Sequence, residues 1–153
     1  MQALKKPARS VAMALKIALA ALEHMKQHAE SSYPEECCGL LLGSASERKA
    51  VKAWRMRNAY PGPKNNRYSL DPLEYAAAEE SALREGIEVV GIYHSHPDHP
   101  ALPSAFDAQH AWPWYAYVIL SVYGGTLHEM RCFYFDEAKR SFIEEPLTPI
   151  TVL

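Results

Sequence analysis

The segment His94-Ser95-His96-Pro97, followed by Ser104 and Asp107, concentrates the residues of this chain that can do chemistry. Side chains two apart on a β-strand point to the same side, so both imidazoles can reach one ion. This is the strand counterpart of the i, i+4 histidine pair that a zinc-binding helix uses. Asp107 falls in the first turn of a short helix for which Ser104 is a plausible N-cap. The proline-rich loop from Pro97 to Pro103 can fold that turn back over the strand end. Two histidines and one carboxylate leave the fourth position of a tetrahedral zinc open, the plan of a catalytic zinc site, where the pKa of a water falls to about 7.

Hydrolysis at such a site needs a base that takes a proton from water and returns it to the leaving amine. Glu35 and Glu36 both stand immediately before the apolar run "CCGLLLG", and local chemistry does not choose between them. Ser104 is close enough to the metal-binding candidates to offer its hydroxyl to a developing oxyanion. The blander role for Ser104 is an N-cap, with Asp107 as the capping-box acid. The two roles are compatible. His99 and His110 read as loop and helix-surface residues near the site, while His128 and Cys132 are too few for a second zinc centre. Cys37 and Cys38 read as small buried residues rather than nucleophiles. Trp112, Trp114, Tyr115 and Tyr117 could form a binding surface, although core packing is their commoner role.

The elements that must position these groups follow from periodicity and punctuation. Residues 11–31 are expected to form a first helix, with Leu15, Ala18, Leu19, Leu22 and Met25 as its apolar stripe. Lys5, Lys6 and Arg9 ahead of this Ala/Leu-rich run resemble a secretory signal peptide, but Lys16 inside it and Glu23 beyond it favour the helix. Tyr33-Pro34 ends the helix. Cys38–Gly43 reads as a buried strand and Ala50–Asn58 as a second, followed by the loop "YPGPKNN". Asp71, Pro72 and Glu74 give a capping pattern for a helix that Gly86 stops. Ile87–Tyr93 is a β-branched central strand delivering the histidines to its end. Tyr115–Tyr123 and Leu127–Phe135 pair across Gly124-Gly125, and Ser141–Glu145 adds an edge strand. The sum is an α/β arrangement with a mixed sheet and helices on its faces.

A length of 153 residues fits one domain spanning 1–153. The composition is 48% hydrophobic and 22% charged with a net charge of -2, which is globular and carries no electrostatic footprint for nucleic acid or an anionic membrane. No run reaches the ~20 apolar residues of a membrane span. Three cysteines, two of them adjacent, do not make a disulfide framework, so a reducing, cytoplasmic setting is expected.

The spacing His94-x-His96, seven residues, Ser104, two residues, Asp107 resembles the signature H-x-H-x7-S-x2-D of the JAMM (MPN+) metallopeptidases without a gap. The segment "EECCGLLLG" resembles the one in which that family's glutamate precedes a small pair and "GLLLG". The similarity runs from about Pro34 to Val122 and includes "RYSLDP". The resemblance implies a cytidine-deaminase-like α/β/α sandwich with a mixed central sheet. It implies a zinc ion held by His94, His96 and Asp107, with Glu36 as acid/base and Ser104 as stabiliser of the tetrahedral intermediate. The implied activity is hydrolysis of an amide bond after the C-terminal glycines of a ubiquitin-like or sulfur-carrier protein. The short chain is most similar to the compact prokaryotic members. A non-catalytic MPN-like scaffold that binds a partner protein is the alternative, and the intact residue set argues against it. A zinc nucleoside deaminase would show H-x-E with P-C-x-x-C, whereas the motif here is H-x-H and no P-C-x-x-C occurs.

Overall fold

The computed structural model describes residues 14–152. The elements in chain order are β1 (Leu15–Ala18), α1 (Leu19–Ser32), β2 (Cys38–Ser44), β3 (Lys49–Met56), α2 (Pro72–Arg84), β4 (Glu88–Pro97), α3 (Ala105–Gln109), β5 (Ala116–Tyr123), β6 (Thr126–Asp136), β7 (Ser141–Glu145) and β8 (Leu147–Ile150). They form an eight-stranded sheet in the order β7-β6-β5-β4-β2-β3-β1-β8. β2 runs antiparallel to β3 and β4, whereas β4 and β5 are parallel. The sheet is therefore mixed, as the sequence pattern implies.

Both faces of the sheet are covered. Period-two alternation sends Leu41 to the face where α1 packs Ala21, Met25 and Ala29, together with Tyr93, Val118 and Leu120. Leu40 and Leu42 face the other way, toward Ala78 and Ala82 of α2, with Ile92 and Ile119. α2 begins as expected, with Asp71 Oδ1 accepting from the N–H groups of Leu73 (2.8 Å) and Glu74 (3.2 Å). Its buried contacts come from the two alanines, and Leu73 and Leu83 are exposed.

Two details of the sheet bear on the site. β4 carries a bulge: Leu41 pairs with Gly91 and Leu42 with Val89, so Val90 is an extra residue on this strand. Bulges re-aim side chains. Beyond this one, Ile92 faces α2 and Tyr93 faces α1, which places His94 and His96 on the α2 side. Gly39 of β2 is the second detail. A Cβ there would overlap the Tyr93 ring and the Trp54 carbonyl oxygen. Its absence lets the fully buried Tyr93 lie across β2 and reach Nδ1 of His28 in α1 at 2.7 Å.

The N-terminal expectation needs correction. Instead of one helix over 11–31, a strand precedes α1, and residues 11–13 lie outside the described residues. Leu15, Lys16 and Ile17 alternate with period two, and β1 is held between β3 and β8 with Leu15 and Ile17 fully buried. Leu19, assigned to the apolar stripe, is exposed. β8 was not anticipated, because its partner β1 was read as helix. β4 also continues past Tyr93 to Pro97, so both histidines lie within the strand. No helix among the described residues is long and apolar enough to cross a membrane.

Candidate metal and active site

The structure brings His94, His96 and Asp107 together as a buried group able to hold a metal ion. Nε2 of His94 lies 3.1 Å from Nε2 of His96, and Oδ2 of Asp107 lies 3.3 Å from the first and 3.4 Å from the second. A tetrahedral ion bound at about 2.0–2.1 Å keeps its ligand atoms about 3.3–3.4 Å apart. The three atoms thus already stand close to the edges of such a polyhedron. Neighbouring groups fix the rings. Nδ1 of His96 faces the Pro100 carbonyl oxygen at 2.9 Å, so this nitrogen carries the proton and Nε2 presents its lone pair. His94 stacks on Tyr68 with ring centroids 4.5 Å apart.

The electrostatics suit a metal site. Burial lowers the His94 pKa, which keeps this imidazole neutral. Burial acts the same way on His96, but bonds to Asp107 and the Pro100 carbonyl outweigh it and raise its pKa. For Asp107, burial favours the neutral acid. The adjacent imidazoles and the Ser104 N–H overcome that, and the carboxyl is held well below the usual range. The α3 terminus also behaves as expected. Ser104 Oγ accepts from the Asp107 N–H at 3.0 Å, and Asp107 Oδ2 accepts from the Ser104 N–H at 2.8 Å, a complete capping box.

The two adjacent glutamates differ in burial. Glu35 is exposed, whereas Glu36 is buried, and its Oε1 has no hydrogen-bond partner among the described residues. Burial pushes the Glu36 carboxyl up to about 8, opposed by the nearby His96 and reinforced by Asp107. A carboxyl poised in that range, within the field of the metal-binding group, suits proton transfer near neutral pH. Beside Asp107 opens a groove of about 600 Å³ with an aromatic wall that includes Tyr60, Tyr68, Phe106 and Trp112.

Other candidates separate cleanly. His99 and His110 are exposed and outside the metal-binding group. His128 packs edge-on against Tyr123. Cys37 and Cys38 are buried and unbridged, and burial raises both thiols, which removes nucleophilic character. Tyr115 and Tyr117 belong to the core, but Trp112 is half exposed on the groove. Sequence reasoning missed Tyr68 as the stacking partner of His94 and the Pro100 carbonyl as the orienter of His96. The aromatic residue was visible in "RYSLDP", but nothing local connected it to a histidine so distant in sequence.

Residues 19–135 match the family described as prokaryotic homologs of the JAB domain. A desampylase of Haloferax volcanii is 38% identical over 110 residues, covering 71% of this chain and 78% of the relative. A CysO-cysteine peptidase of Mycobacterium tuberculosis is 32% identical over 128 residues, covering 82% of this chain and 84% of the relative. The solved JAB1/MPN domain protein of Archaeoglobus fulgidus shares the fold, with a TM-score of 0.60 at 20% identity over 90% of this chain and 98% of that one. With a family match over most of its length and relatives named as peptide-bond hydrolases, the chain belongs to the prokaryotic JAB-domain family of JAMM/MPN proteins and is a hydrolase of peptide or isopeptide bonds.

Proposed function

We propose that this protein is a zinc-dependent hydrolase that cuts the amide bond following the C-terminal glycines of a ubiquitin-like or sulfur-carrier protein. His94, His96 and Asp107 are its zinc ligands, Glu36 its general acid/base and Ser104 its oxyanion donor. The observation that carries the reading is the convergence of two imidazole nitrogens and one ionised carboxylate oxygen at tetrahedral spacing, with the buried Glu36, whose Oε1 has no hydrogen-bond partner among the described residues, in their field. The relatives named desampylase and CysO-cysteine peptidase support the substrate class.

Bound by these three groups, zinc would acidify a water to a pKa of about 7 and polarise the scissile carbonyl. Glu36 takes a proton as the water oxygen adds to the carbonyl carbon, then delivers it to the leaving nitrogen as the C–N bond breaks. The products are a carrier ending in a carboxylate and a free amine. Ser104 Oγ already accepts from the Asp107 N–H, so its own hydrogen is available for the oxygen of the tetrahedral intermediate. The aromatic groove would hold the extended tail beside Asp107, while glycines at the cut bond leave room for close backbone approach.

The test is incubation of zinc-loaded protein with carriers bearing a C-terminal extension, an added amino acid or an isopeptide-linked lysine, read by mass spectrometry. The expected product ends at Gly-Gly and is absent with Glu36→Gln. Intact carriers of all three kinds after incubation with the loaded wild-type protein would overturn the proposal.

A further inference from the structure

Glu36 lies just ahead of β2, outside any regular element, so no sheet ladder fixes its backbone. Its two backbone groups are held instead by the segment linking β3 to α2. The Glu36 N–H donates to the Lys64 carbonyl at 2.6 Å. The Glu36 carbonyl accepts from Nδ2 of Asn58 at 3.0 Å.

That same Asn58 amide fastens both ends of the segment. Nδ2 also donates to the Arg67 carbonyl at 3.0 Å. Oδ1 accepts from the N–H groups of Tyr60 at 3.1 Å and Ser69 at 3.2 Å. A side-chain amide has two N–H donors and two acceptor lone pairs. All four are used here, each on a backbone group. The Ala59 N–H closes the neck of the loop by donating to the Ser69 carbonyl at 2.9 Å. The loop so closed carries Tyr60, on the groove wall, and Tyr68, which stacks on His94.

From this convergence we infer that Asn58 is a positioning residue for Glu36: one saturated amide locks the base to the loop that walls the groove and braces His94. The inference rests on Glu36 being the general acid/base. A misplacement of about 1 Å in such a group costs on the order of 10²-fold in rate, and among the described residues Asn58 is the hydrogen-bond donor to the Glu36 carbonyl.

Asn58→Asp removes the donor side of this amide and keeps the acceptor side of the loop closure. An aspartate keeps the shape and can still accept from Tyr60 and Ser69, but it has no hydrogen to give to Glu36 or Arg67. Zinc content should stay at the wild-type level. At saturating zinc, kcat should fall ten- to a hundredfold, while KM changes less than threefold. Amide hydrogen exchange at Glu36 should accelerate at least tenfold in Asn58→Asp, while exchange at Leu40 and Leu41 stays slow. Asn58→Ser, which retains one donor in a shorter side chain, provides a second variant for the same measurements.

Unchanged kcat or unchanged exchange at Glu36 would overturn the inference, as would a loss carried by KM alone. The exchange measurement needs no substrate. A wild-type protein inert toward every carrier, yet with Glu36 exchange dependent on Asn58, would defeat the hydrolase reading and its catalytic consequence while leaving the mechanical link intact.

Discussion

Ser104 and Asp107 hold each other through two reciprocal hydrogen bonds, of 3.0 and 2.8 Å, so the cap of α3 and one corner of the metal-binding group are the same structure. The carboxylate oxygen that accepts from the Ser104 N–H is also the one that faces both histidines. Any change at Ser104 can therefore act on helix stability, metal binding or the transition state, and substitutions must separate the three.

Ser104→Ala removes both the cap and the proposed oxyanion donor. It should cost about 0.5–2 kcal/mol of stability and lower kcat roughly 10²–10³-fold. Ser104→Asp restores a good cap but places negative charge beside a developing oxyanion. It should melt near the wild-type temperature and remain slow. A stable, zinc-replete and fully active Ser104→Asp protein would leave Ser104 as a cap alone.

His96→Ala should lose most of the bound zinc, and wild-type protein should hold about one zinc per chain. Titration with a chromophoric chelator gives the affinity directly. Groups that hydrogen-bond to metal ligands typically contribute 10–100-fold in metal affinity, so deleting a ligand should exceed that. Full occupancy in the variant would remove His96 from the ligand set.

Glu36→Gln should retain zinc and abolish turnover, whereas Glu35→Gln, at an exposed position, should be nearly silent. The stability effect has the opposite sign to the activity effect. In the folded, metal-free chain Glu36 keeps its proton up to about pH 8, while the unfolded carboxyl ionises near 4.5. Between these values the unfolded state binds fewer protons, so the glutamate's presence lowers stability as pH rises. Metal-free Glu36→Gln should thus be more stable than wild type at pH 8, by on the order of 1–3 kcal/mol. The advantage should shrink toward pH 4.5. Thermal melts across that range in the presence of a chelator provide the check, and a constant difference would contradict the assigned burial cost.

Much of the site was legible because its chemistry is local in sequence. His94, His96, Ser104 and Asp107 fall on one strand end and one capped turn, where period-two geometry and capping rules apply directly. The candidate base was different: Glu35 and Glu36 are equivalent by local chemistry, the family resemblance pointed to Glu36, and in the structure the two differ in burial. The missed strands share one cause. Leu15 and Ala18 fit a helical stripe while Leu15, Lys16 and Ile17 fit a strand alternation, and the long Ala-rich continuation outweighed the shorter signal. Once β1 was read as helix, β8 had no partner to reveal it.

Gly39→Ala should destabilise the fold by about 1–3 kcal/mol through overpacking, because the added methyl group meets the Tyr93 ring and the Trp54 carbonyl oxygen. Zinc affinity in the protein that remains folded should change little, since Gly39 touches none of the three ligands. A melting temperature equal to wild type would show that Tyr93 can move aside.

The strand that carries the histidines occupies an interior place in the sheet, with β2 on one side and β5 on the other. It pairs with β2 from Glu88 to His94 and with β5 from Gly91 to Pro97. Among the described residues the sheet ends at β7 and β8, neither of which contributes a residue to the candidate site. An incoming tail therefore cannot be recognised there by extending this sheet as one more strand, the route by which many domains capture extended peptides. Discrimination falls to the loop and helix that overhang the histidines, where replacing a few side chains would retune which tails are accepted without disturbing the scaffold beneath.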